Sequence, residues 1–188
     1  MNQAFDKLYE SSYVWNIKDD ARLYGDRLGD RRVHREKQLP QRAELSFMTV
    51  DVAHNAFRQG EKLLLFLPDH VYLYDPLQGI TLYKYSSVTI KTHSVEFTED
   101  RYYAREAPTL WTTWLHTRKD GEPDRRYKDN PMISGVVYSL VEIRLGNDIL
   151  WELLVSSIQK ADEFRRFFYE SQQSPGSWSD SRYKTRPK

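Results

Sequence analysis

Five histidines, His34, His54, His70, His93 and His116, are the first side chains to weigh for chemistry in this chain of 188 residues. They are scattered, with no close pair and no His-Glu-x-x-His, so a metal would need distant residues to converge. They read as isolated surface or strand histidines. The absence of cysteine excludes disulfides, thiolate zinc sites and cysteine nucleophiles, and fits a reducing compartment. No Gly-x-Gly-x-x-Gly, Gly-x-x-x-x-Gly-Lys-Ser/Thr or Gly-x-Ser-x-Gly occurs, and neighbouring His93 and Ser94 on a strand point to opposite faces. One carboxylate arrangement has catalytic content: Asp124, then Glu142-Ile143-Arg144 on a following strand. Acidic groups beside a cation hold Mg²⁺ and activate water in nuclease-like sites. Arg144 stands where such sites often carry Lys and cannot readily share a proton, and Glu142 with Arg144 reads more simply as the exposed face of a strand. No catalytic residue, metal or cofactor is assigned.

Charge gives a second set of candidates. With 28 Lys and Arg against 27 Asp and Glu, the formal net charge is +1, so no strong field draws the whole chain to nucleic acid or lipid. Cations concentrate in the stretch Arg118 to Asn130, which holds Arg118, Lys119, Arg125, Arg126 and Lys128. Asp120, Glu122, Asp124 and Asp129 nearly neutralise it, and internal ion pairing that orders the loop is the expected use. The tail residues Arg182, Tyr183, Lys184, Arg186 and Lys188 have the composition of a weak, salt-sensitive nucleic-acid contact, the one segment of the sequence that does. The charge-free runs, such as Ala107 to Thr117, fall well short of a membrane helix, and residues 1–13 lack the apolar stretch of a signal peptide. A soluble, cytoplasmic protein is expected.

The elements that must position these groups fall in three zones. Residues 1–44 form a charged N-terminal arm, in which Val14, Ile17, Ala21, Tyr24 and Leu28 recur at steps of three and four and predict a partial helix. Residues 45–170 alternate apolar and polar positions. Met48, Val50 and Val52 start a strand, His54 to Lys62 is a loop, and Leu63–Leu67 and Val71–Tyr74 form a hairpin across Pro68-Asp69-His70. Further strands follow at Gly79–Tyr85, Val88–Phe97 and around Trp111–His116, with Ser86-Ser87 as a bend and Asp120-Gly121 as a tight turn. The clearest hairpin joins Ile133–Leu145 to Ile149–Val155 through Gly146-Asn147. The period then changes to about 3.6: Ser156 with Gln159 forms a capping box, and Ile158, Ala161, Phe164 and Phe168, with Phe167 beside them, supply an aromatic helix face. Residues 171–188 read as a disordered basic tail.

About seven antiparallel strands followed by one C-terminal amphipathic helix resembles the pleckstrin-homology-like fold, a bent sheet forming a partly open barrel with the helix plugging one end. The runs Leu65-Phe66-Leu67-Pro68-Asp69-His70-Val71, Thr113-Trp114 and Lys119-Asp120-Gly121-Glu122-Pro123-Asp124-Arg125-Arg126-Tyr127 resemble an uncharacterised group of bacterial proteins. That group has a Phe-Leu-Pro-Asp-Arg turn, a Thr-Trp strand and a Gly-Gly-Pro-Asp-Arg-Arg-Phe loop. This chain departs from it at His70, Glu122 and Tyr127. The resemblance implies a bacterial or phage origin and a structural or contact role for the Lys119 to Tyr127 loop; it brings no activity.

The sequence therefore predicts a mainly β protein with a C-terminal α-helix, serving as a non-enzymatic scaffold or adaptor that holds a protein partner. The partner-binding candidates are Tyr24, Leu28, Arg118, Lys119, Arg125, Arg126 and Lys128. Anionic-lipid headgroup binding is the alternative, with Arg125 and Arg126 as contacts, and a metal-dependent nuclease is a further one. No small-molecule substrate is inferred.

Overall fold

The computed structural model describes residues 2–19, 26–28, 31–38, 54–100, 103–147 and 149–173. Its elements are mostly strands, in order α1 (Asn2–Tyr9), β1 (Val14–Asp19), β2 (Asp26–Leu28), β3 (Arg31–Lys37), β4 (Asn55–Gln59), β5 (Lys62–Phe66), β6 (Val71–Asp75), β7 (Gly79–Tyr83), β8 (Val88–Asp100), β9 (Thr109–Trp114), β10 (Met132–Leu145), β11 (Ile149–Val155) and α2 (Ile158–Gln173). The pairings are antiparallel throughout, in two sheets.

Strands β4 to β7 make a simple meander. The hairpin predicted across Pro68-Asp69-His70 is β5–β6, with Leu64 opposite Leu73 and Phe66 opposite Val71. The stretch His54 to Lys62, expected as a loop, is instead strand β4 plus a two-residue turn at Gly60-Glu61, where Gly60 takes a positive φ of 60°. Asn55 and Gln59 obscure the alternation that Ala56, Phe57 and Arg58 carry on.

The seven-stranded sheet runs β11-β1-β3-β2-β8-β10-β9, with β10 also paired to β11. Its order returns on itself through the single β2–β8 pair Leu28↔Phe97, which curls the sheet into a partly open barrel. The 14-residue strand β10 is the axis. Every residue from Ile133 to Leu145 pairs with β8, while its other edge serves β9 at one end and β11 at the other.

Because side chains alternate along a strand, β10 feeds two cores on opposite faces. Val141, Ile143 and Leu145 join the main core, and Val136, Tyr138 and Leu140 join a second one. The main core lies between the sheets, where Phe57, Leu64, Phe66 and Leu73 meet Val88, Ile90, Trp151, Leu153 and Val155. Helix α2 inserts Ala161, Phe164 and Phe168 there, as their spacing predicts, while Arg165 and Arg166 face outward. Its cap differs by one residue from expectation. The Ser157 hydroxyl accepts the Lys160 N–H at 3.3 Å, and Ser156, fully buried, accepts the Tyr13 N–H and donates to the Glu106 carboxylate at 2.5 Å.

The described residues of the helix expected over Val14 to Leu28 are strands instead. Val14–Asp19 is β1, paired on both edges, with β11 and β3, and Asp26–Leu28 is β2. The apolar spacing misleads because Val14 packs in the main core and Ile17 in the second, on opposite faces of one strand. The N-terminal helix is α1, eight residues that place Ala4, Phe5 and Leu8 in the main core. Phe5 lies 5.3 Å, centroid to centroid, from both Phe57 and Phe164, and 5.0 Å from Phe66. Lys160 of α2 binds Glu10 at 2.5 Å beside the pair Lys7–Glu10 at 2.6 Å, which locks α1 to α2.

Two buried polar groups tie the layers. Asn16 of β1 accepts the Trp151 indole N–H and donates to the Gln38 side chain and the Arg58 carbonyl, joining β1 and β11 to β4. In the second core Arg35 makes two hydrogen bonds to Glu99, at 2.5 and 3.3 Å, and its guanidinium lies over the rings of Trp15 and Phe97. Tyr138 donates to the same carboxylate, and burial first, then that negative charge, pushes its hydroxyl pKa upward.

Candidate functional site

The connection from β9 to β10 holds five of the seven candidate residues. It is an ordered structure rather than an open loop. Thr117 and Pro123 form an isolated β-bridge, the Arg118 N–H donates to the Glu122 carbonyl at 2.8 Å and the Gly121 N–H donates to the Arg118 carbonyl at 3.0 Å. Gly121, at φ +84°, supplies the left-handed position of the tight turn that Asp120-Gly121 predicts. At the base, the Asn130 side chain accepts the His116 N–H and donates to the His116 carbonyl, both at 2.8 Å. The rings of His116 and Tyr127 stack at 3.7 Å with 16° between their planes.

Asp124 is the centre of the loop. It is 6% exposed although the surrounding chain is open. Its carboxylate accepts Arg126 Nε at 3.0 Å, an Arg126 terminal N–H at 2.6 Å and the Arg126 backbone N–H at 3.1 Å. The Arg126 guanidinium first, then its backbone N–H, lowers the Asp124 pKa to about 2. Arg118 pairs with Asp120 at 3.0 Å. The internal ion pairing expected from the sequence is therefore present for these two cations. Lys119, Arg125 and Lys128 are exposed and make no ion pair with the described residues. Arg118, Asp124, Arg125 and Arg126 together line a hollow of about 440 Å³.

Strand β9 leads into this loop. Its residues Thr109–Trp114 carry no charge, and among the described strands it pairs only with β10. The Leu115 N–H donates to the Pro131 carbonyl at 2.9 Å, so antiparallel alternation turns the backbone groups of Thr112 and Trp114 to the open edge. Leu110 is 56% and Leu115 50% exposed, with Trp111, Tyr127 and Met132 also open to solvent. The sequence predicts a strand here but carries no sign that its outer edge is unpaired among the described residues; only the sheet order shows that.

Tyr24 lies outside the described residues, as do the strand expected at Met48 to Val52 and the basic tail from Arg182. Leu28 contributes its backbone to the β2–β8 pairing opposite Phe97. For the nuclease reading, Asp124 is committed to Arg126, while Glu142 on β10 stands 3.8 Å from His93 and 3.9 Å from Arg144. Among the described residues no three His, Asp or Glu side chains stand together as a metal set, and no helix is long and apolar enough to cross a membrane.

Two further surface features lie elsewhere. A hollow of about 930 Å³ beside α2 has mixed charge, and its ionic groups are engaged: Arg165 with Asp162, Glu163 with Lys160, and Glu106 with Ser12 and Ser156. Burial works against Glu106 ionising, yet the Ser156 and Ser12 hydrogen bonds hold its pKa below the usual range. The β6–β7 hairpin exposes Leu77, at 95%, with Ile80 and Leu82 on edge strand β7. No family model, no curated protein and no solved structure matches the chain.

Proposed function

We propose that this chain is a non-catalytic protein-interaction module, a scaffold or adaptor of a bacterial or phage cytoplasmic complex, with a pleckstrin-homology-like body. The reading of the body is supported by the meander β4–β7 packing across one core from β8, β10 and β11, with α2 inserted between them. The observation that carries the functional reading is the edge of β9. Monomeric proteins blunt such edges with charges, prolines or covering segments, because unpaired backbone groups are a template for another strand. Here Thr109–Trp114 has no charge and no proline, and Leu110, Trp111 and Leu115 stand exposed around it. An extended segment of a partner pairing with β9 gains backbone hydrogen bonds and covers these side chains. The adjoining cations Lys119, Arg125 and Lys128 then set orientation and rate of encounter rather than bulk affinity.

The test is affinity capture from the native cell with three forms of the full chain: wild type, Leu110→Lys with Leu115→Lys, and Leu77→Lys with Leu82→Lys. The reading expects the β9 pair to lose a partner that the β7 pair retains. Equal recovery by all three forms defeats it. Sedimentation with anionic and neutral vesicles addresses the lipid alternative, since binding to anionic vesicles alone, lost in high salt, favours a headgroup contact.

A further inference from the structure

We infer that the hollow between Arg118, Arg125 and Arg126 is a binding site for a phosphoryl group carried on the partner's protein chain. The inference rests on the reading of β9 as a docking edge, which it deepens by naming what the neighbouring loop recognises. The lining sets three guanidinium groups against one carboxylate. That carboxylate, Asp124, is buried and saturated by Arg126, so it holds the guanidinium in place instead of repelling an incoming anion. Arg126 keeps its side chain 85% exposed while so held, which leaves N–H groups directed away from Asp124. Arg125 has no ionic partner among the described residues, and the Arg118–Asp120 pair is open to water on both sides and correspondingly weak. Set against Asp124 and the Arg118-bound Asp120, the three arginines leave one net positive charge, and a phosphate monoester, with roughly −1.5 to −2 at neutral pH and three acceptor oxygens, suits their guanidinium forks. The volume, about 440 Å³, accommodates a phosphorylated side chain.

A protein source is favoured over a membrane by the surroundings. Asp120 and Glu122 are exposed on the same loop and add negative charge that opposes a flat anionic surface more than a single dianion seated between the arginines. The loop also begins where β9 ends, so an extended chain paired with β9 would run beside it.

The probe is O-phospho-L-serine titrated into the full chain, with serine as control, read from the arginine Nε–Hε signals by NMR. The expected result is a saturable shift of the Arg125 and Arg126 signals with phosphoserine and none with serine. Arg118→Gln with Arg125→Gln weakens binding at least tenfold, about 1.4 kcal/mol, with the thermal midpoint unchanged. Arg126 is left in place because its loss would strand the buried Asp124 charge. No saturable shift, or equal affinity in the double variant, overturns the inference. So does a preference for phosphatidylcholine vesicles containing one-fifth phosphatidylserine over phosphoserine, which would assign the site to a membrane. If the β9 variants lose the partner while phosphatase treatment leaves capture intact, the phosphoryl inference fails and the docking edge stands. A phosphoserine response without any effect of the β9 variants means the opposite: the anion site stands and the docking edge fails.

Discussion

Trp111 lies flat over Gly135. A Cβ built at Gly135 would sit 2.3 Å from two atoms of the indole ring, and the indole N–H reaches across to Glu96 of β8 at 2.7 Å. One glycine on β10 thus lets a β9 tryptophan span three strands beside the open edge. The bulge that follows, between Gly135 and Val136, adds to the local bend.

Gly135→Ala is expected to lift the indole, break its bond to Glu96 and destabilise the protein by about 1–3 kcal/mol, the usual cost of overpacking. Urea unfolding measures the loss, and a red-shifted tryptophan emission relative to wild type reports the displaced ring. Unchanged emission would mean that the backbone, not Trp111, gives way.

Phe5→Ala should cost about 3–5 kcal/mol, because it removes a fully buried ring from among Phe57, Phe66 and Phe164. Phe167→Ala, at a half-buried position, should cost clearly less. Equal losses in chemical denaturation would show that α1 is peripheral. For the same reason, deletion of the N-terminal residues is a poor test of docking, since it empties the core.

Glu99→Ala should destabilise by about 3–5 kcal/mol, since it removes the carboxylate that binds Arg35 beside Trp15 and Phe97 and deprives Tyr138 of its acceptor. Arg35→Met with Glu99→Leu should recover much of that loss by replacing both charges with apolar groups. A double-mutant cycle by urea unfolding decides it; strictly additive losses would disprove the coupling.

The Asp124 pKa is lower in the folded protein than in the unfolded chain, so the carboxylate's contribution is complete above about pH 4 and disappears as the pH falls towards 2. The chemical shifts of Tyr127 and Asn130 should therefore follow a transition in that acid window, which Asp124→Asn removes. A midpoint near 4 in the wild type would contradict the Arg126 pairing.

Local pattern makes the strands β5, β6, β7, β8, β10 and β11 and the helix α2 readable. Two-residue alternation or 3.6-residue periodicity is written in neighbouring positions and needs no distant partner. The aromatic face of Phe164 and Phe168, the Asp120-Gly121 turn and the expectation of ion pairing within the loop belong to the same class; which ions pair, Asp124 with Arg126 and Asp120 with Arg118, comes from the structure. The stretch Val14 to Leu28 defeats local reading for the converse reason. Its spacing fits a helix stripe equally well, and only a sheet with a core on each face, with β1 paired to β11 over more than a hundred residues of chain, makes Val14 and Ile17 face opposite ways. The exposed edge of β9 and the seat of Trp111 on Gly135 are likewise settled by tertiary structure. Which strand lies outermost, and which glycine lies beneath which ring, depend on pairings between segments that the local sequence does not encode.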